Sequence, residues 1–148
     1  MKKLDKTLII GIGNNTRQDD GLGWCFLDKL EKEGYNSENL LYKYQLMVEE
    51  AEIIAKYKQV VFVDACKTPL EKGFTIERIY PAEQVAFSTH AVPPNQVLNL
   101  CNTVYDKNPK AYVVKIQGYE WDIKIELSLQ AKKNLENAFN VFKQTFKI

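Results

Sequence analysis

Four consecutive apolar residues, Val60-Val61-Phe62-Val63, closed by Asp64, constrain the fold more than any other stretch of this chain. A strand with one wet face alternates apolar and polar side chains. A run that is apolar at every position fits a strand buried on both faces, as central strands of parallel sheets are. Such a sheet needs helices over both faces, and the flanking sequence supplies alternating strand and helix patterns. Residues 6–12 predict a first strand ending in a glycine-rich turn, and Leu22, Phe26 and Leu30 then recur at helical spacing up to Gly34. A second strand is expected at 40–45 and a helix at 49–57, before the third strand ends at Asp64. A fourth strand is expected at 74–80. Pro93-Pro94 open a helix that ends near Asp106, with Val97, Leu98, Cys101, Val104 and Tyr105 at helical spacing. A fifth strand at 111–116 precedes a C-terminal helix marked by Leu135, Ala138, Phe139, Phe142 and Phe146, with Ser128 as its N-cap. Right-handed crossovers between such elements give an α/β three-layer sandwich: a mostly parallel, twisted five-stranded sheet with helices on both faces.

At 148 residues the expectation is a single domain spanning 1–148. The 45% apolar and 26% charged composition is that of an ordinary globular protein. Twenty basic against nineteen acidic residues leave a formal charge of +1, too little to draw the chain to nucleic acid or anionic lipid. The apolar run from Leu8 to Ile12 is too short for a membrane span or a secretory core. Cys25, Cys66 and Cys101 are odd in number and widely spaced, with no CxxC pair, so they read as reduced thiols of a cytoplasmic protein.

Ligands of open α/β sheets sit beyond the carboxyl ends of the strands, which directs attention to the polar residues placed there. The first strand feeds Gly13 through Gly21 with the acidic pair Asp19-Asp20, the third ends at Asp64, and the loop after the fourth carries Ser88-Thr89-His90. Asp19 could simply cap the following helix, where carboxylates are favoured. Asp64 alone could bind backbone amides at a strand end. Asp20, Asp64 and the sole imidazole, His90, would together make a mixed oxygen and nitrogen site for a borderline divalent metal, held weakly. Gly11-Ile12-Gly13 opens like a dinucleotide fingerprint, but position 16 is Thr, and the acidic pair would repel a pyrophosphate. There is no GxSxG or HExxH motif. A Cys66–His90 pair is a weaker alternative, since a carboxylate two residues earlier disfavours a thiolate.

The same residues, in order, resemble the hydrogenase maturation proteases, peptidases that trim the C-terminus of the large subunit of nickel-iron hydrogenases. The resemblance runs through Ile9-Ile10-Gly11-Ile12-Gly13-Asn14, Asp19-Asp20-Gly21-Leu22-Gly23, Val61-Phe62-Val63-Asp64-Ala65 and Ser88-Thr89-His90. Looser matches are Gln45 to Glu52, and Gln117-Gly118-Tyr119-Glu120 followed by Leu127-Ser128. It implies a twisted sheet flanked by helices and a nickel-recognition site made by Asp20, Asp64 and His90, with Asp at a first position that is Glu in some members. It further implies an endopeptidase that reads nickel already inserted in the precursor of a nickel-iron hydrogenase large subunit and removes the C-terminal extension; a monomer is the expectation for a chain of this size. The metal would belong to the substrate. The readings from other classes are a non-catalytic chaperone that docks on a metalloprotein precursor, and a small nucleotide-binding domain.

Overall fold

The computed structural model describes residues 6–84 and 91–148. Five strands, β1 (Thr7–Ile12), β2 (Leu40–Lys43), β3 (Gln59–Cys66), β4 (Phe74–Ile79) and β5 (Lys110–Gln117), form one sheet in the order β2-β1-β3-β5-β4. All pairs are parallel except β4 with β5, which places the antiparallel strand at an edge. The main helices are α1 (Leu22–Lys32), α2 (Glu50–Ile54), α3 (Pro94–Tyr105) and α4 (Leu129–Thr145).

The uniform apolarity of β3 is explained by burial on two sides. Val61 and Val63 face α1 and α4, joining Phe26, Leu30, Leu135, Phe139 and Phe142. Val60 and Phe62 face α2 and α3, joining Ala51, Ile54, Val97 and Leu98. The first core is strongly aromatic: Phe26 meets Phe139 edge-on at 5.2 Å and Phe142 at 5.1 Å between ring centroids, arrangements favoured by the ring quadrupoles. This is the expected three-layer α/β sandwich.

Differences from the sequence reading lie at element ends. β3 continues two residues past Asp64, to Cys66, because β5 pairs with it along its whole length. α2 covers only Glu50–Ile54, since Lys58 donates its backbone N–H to Lys6 and pulls the chain into the sheet early. β2 stops at Lys43. Ser128 does cap α4, its Oγ accepting from the Ala131 amide at 3.3 Å.

The first turn of α1 lies directly on the strand ends. A Cβ at Gly23 would stand 2.5 Å from the Val63 carbonyl oxygen and 2.7 Å from that of Ile12, both backbone atoms. Gly23→Ala is therefore expected to push the helix off β1 and β3 and to destabilise by about 3 kcal/mol, the upper range for overpacking. Urea unfolding checks this through a lowered midpoint at unchanged slope.

Candidate metal-binding cleft at the strand ends

Sheet register sets the site. Ile12 of β1, Asp64 of β3 and Lys115 of β5 share one rung at the carboxyl ends of the central strands. Past Ile12 the chain turns at Gly13, whose φ of +145° and whose hydrogen-facing side, where a Cβ would strike the Asp20 carbonyl oxygen, admit only glycine. The Gly13 amide donates to Lys43 and that of Asn14 to the Asp20 carbonyl, at 2.9 and 3.0 Å, so the loop folds back and brings Asp20 beside the end of β1.

Asp20 and Asp64 line the same cleft of about 390 Å³, together with Ile12, Gly13, Gln45 and Leu46 on one side and Ala91 to Pro94 on the other. The two sides are joined where the Val92 amide donates to the Leu46 carbonyl at 3.0 Å. The 44–50 segment is itself anchored by Glu50, a buried carboxylate that accepts from the Met47 amide at 2.6 Å and meets Lys43 at 3.3 Å. His90 lies outside the described residues, as do Ser88 and Thr89; Ala91, the next residue in the chain, lines the cleft. Among the described residues, no third histidine, cysteine, aspartate or glutamate joins Asp20 and Asp64 in a metal-sized cluster.

Asp64 also lines a second cleft, of about 540 Å³, whose apolar lining includes Phe62, Ile79 and Val113 and whose charged lining is Lys67, Glu77 and Lys115. Burial pushes the Asp64 carboxyl up to about 7; the Ala65 amide opposes this, nearby Asp20 adds to it, and Lys115 opposes it. The Asp20 carboxyl is also raised by burial, against the pull of Arg17 and Lys67. Two carboxylates, each partly stripped of water and repelling one another, make a place where a cation is electrostatically favoured. The chemistry of these donors therefore fits a divalent metal.

Asp19 does something the sequence did not suggest. It does not cap α1; its carboxylate is fully buried and accepts from the amides of Tyr119, Glu120 and Ser128 and from the Ser128 hydroxyl, at 2.7 to 3.0 Å. Gln18 joins it, its Oε1 accepting from the Asp122 amide at 3.0 Å. The acidic pair thus divides its work: Asp19 points into the protein and Asp20 lines the cleft. Cys66 donates its thiol to the Thr68 carbonyl at 3.3 Å, and all three cysteines are free.

No family model matches the chain. A curated protein of Methanocaldococcus jannaschii, which bears the provisional name of hydrogenase maturation protease, is 32% identical over 157 aligned residues, covering 95% of this chain and 96% of the relative. The crystal structure of HycI, a [NiFe] hydrogenase maturation protease from Thermococcus kodakarensis KOD1, superimposes with a TM-score of 0.70 at 26% identity, over 99% of this chain and 97% of that one. The E. coli hydrogenase maturating endopeptidase HybD shares the fold, with a TM-score of 0.71 at 19% identity over 96% of this chain and 92% of its own.

Proposed function

Since the chain belongs to the hydrogenase maturation protease family, we propose that it is the endopeptidase that removes the C-terminal extension of a nickel-iron hydrogenase large-subunit precursor once nickel has been inserted. The observation that carries this reading is the single cleft lined by Asp20, Asp64 and Ala91, the neighbour of His90. In this proposal Asp20 and Asp64 each offer a carboxylate oxygen and His90 an imidazole nitrogen to the substrate's nickel. Three protein donors leave coordination positions open, so the ion stays with the cysteine thiolates of the precursor while it is tested. Weak binding is the useful property, because a peptidase that held nickel tightly would strip its own substrate.

The neighbouring cleft, with its apolar lining around Phe62, Ile79 and Val113, gives the segment to be cut a surface to lie on beside Asp64. The metal contact then fixes where the peptide sits, and a water polarised at this edge attacks the scissile carbonyl; positioning supplies most of the acceleration. The enzyme is proposed to act as one domain, as a monomer in the cytoplasm. Among the described residues no helix is long and apolar enough to cross a membrane.

The test is to incubate the purified protein with large-subunit precursor, nickel-loaded or nickel-free, and to follow intact mass. The expected result is loss of a C-terminal peptide from the nickel-loaded form alone. A stable complex whose precursor keeps its full mass would replace the peptidase with a chaperone.

A further inference from the structure

Asp20 and Asp19 are adjacent in the 3-10 turn Gln18–Gly21, yet only Asp19 is tied down through its side chain. Among the described residues, no hydrogen bond holds the Asp20 carboxylate, so its place in the cleft depends on the backbone of the turn, where its own N–H donates to the Arg17 carbonyl and its carbonyl accepts from the Asn14 amide. On the β1 side the Asn14 amide holds the Asp20 carbonyl at 3.0 Å, and on the other side the turn is held by the segment 119–128. The Asp19 carboxylate gathers four donors from residues 119, 120 and 128. The main chain repeats the attachment: Asp19 N–H donates to Glu120 at 3.0 Å, Gln18 N–H to Lys124 at 2.9 Å, and Lys124 N–H to Thr16 at 2.9 Å. Gln18 is held at φ +46°, a conformation that a free turn would abandon. The segment gripped in this way is itself anchored, leaving the end of β5 at Gln117 and entering α4 through its cap, Ser128.

From this arrangement we infer that Asp19 is a positioning residue for the metal-reading step: its buried carboxylate fixes the turn that aims Asp20 into the cleft. The inference rests on the proposed role of Asp20. Ser128 belongs to the same device, since its hydroxyl both donates to Asp19 at 2.7 Å and accepts from Ala131 at the start of α4. A segment about a hundred positions away in sequence therefore holds the turn that carries Asp20. A carboxylate suits the position better than an amide, because all four converging groups can donate and an amide nitrogen would face one of them donor to donor.

Cadmium ion, titrated calorimetrically into purified protein at a temperature where every variant keeps its native circular dichroism, provides the test. Asp19→Asn is expected to weaken cadmium binding at least about tenfold and to lower kcat on nickel-loaded precursor comparably, as when partners that orient metal ligands are removed. KM should move less than kcat, because the reacting geometry is what suffers. Ser128→Ala should weaken cadmium about threefold, a smaller loss for one donor out of four. Leu135→Ala, in the α4 core and away from the turn, loses stability but should bind cadmium as the parent does. Parental cadmium affinity in folded Asp19→Asn, or in Ser128→Ala if Asp19→Asn does not fold, overturns the inference. Asp20→Asn in the same series separates the two failures: if it abolishes binding while Asp19→Asn does not, only the positioning role falls. If Asp20→Asn also binds normally, the reading of the cleft falls with it.

Discussion

Asp64→Asn is expected to slow removal of the C-terminal extension by at least about a hundredfold, the scale of damage when a metal site loses a supporting group. The same change should make the metal-free protein more stable at alkaline pH. Burial raises the Asp64 carboxyl to about 7 in the folded chain, whereas in the unfolded chain it titrates near the ordinary value for aspartate. Between those two values the folded state keeps a proton that the unfolded state has released, so stability falls as pH rises through that window, and the full cost is present above it. An asparagine never bears that charge. With a chelator present, the variant should gain about 2–3 kcal/mol over the parent at about pH 8, after allowance for solvent reaching the half-buried group, and almost nothing near pH 4. Denaturant titrations at the two pH values measure it. An equal gain at both would mean that the effect is packing and not charge. Loss of activity with gain of stability is what a strained functional group produces, and a bland strand-end residue would not show it.

Asp19→Ala is expected to be the most destabilising single change in the loops, costing about 4 kcal/mol, because it leaves a buried amide and hydroxyl at Ser128 and the part-buried amides of Tyr119 and Glu120 without their acceptor. Each orphaned donor forfeits its bond, and water would have to enter a completely buried site to replace it. Urea unfolding checks the magnitude. Hydrogen exchange checks the place, since the amides of Tyr119, Glu120 and Ser128 should lose protection before those of the strands. A loss below about 1 kcal/mol would show that the carboxylate is not the anchor of this segment.

The elements that were legible in the sequence are those whose burial pattern is local. Val60 to Val63 announce a strand covered twice, and the heptad-like spacing of Phe26, Leu30, Phe139 and Phe142 announces the helices that cover one side. Asp64 was legible as a strand-end acid and Asp20 as an acid of the loop that β1 feeds, and the fold-back of that loop onto Ile12, the register partner of Asp64, brings both to one cleft. The antiparallel placement of β4 was not, since its pairing with β5 spans residues over thirty positions apart and leaves no periodic trace. The division of labour between Asp19 and Asp20 escaped for a related reason. Its decisive partners, Tyr119, Glu120 and Ser128, are about a hundred positions away, and two adjacent acids look alike until one of them is seen to be enclosed. A cue was available in Gly118 followed by a polar, aromatic segment, which marks a loop packed closely on something: a Cβ at Gly118 would lie 2.7 Å from that of Asp19.

The role assigned to the cleft is tested most directly by anomalous diffraction from crystals of the protein soaked with cadmium. The account predicts one dominant peak within about 2.5 Å of carboxylate oxygens from both Asp20 and Asp64 and of an imidazole nitrogen of His90. A dominant peak held elsewhere, or a peak at the two carboxylates with the imidazole far from the ion, would contradict it.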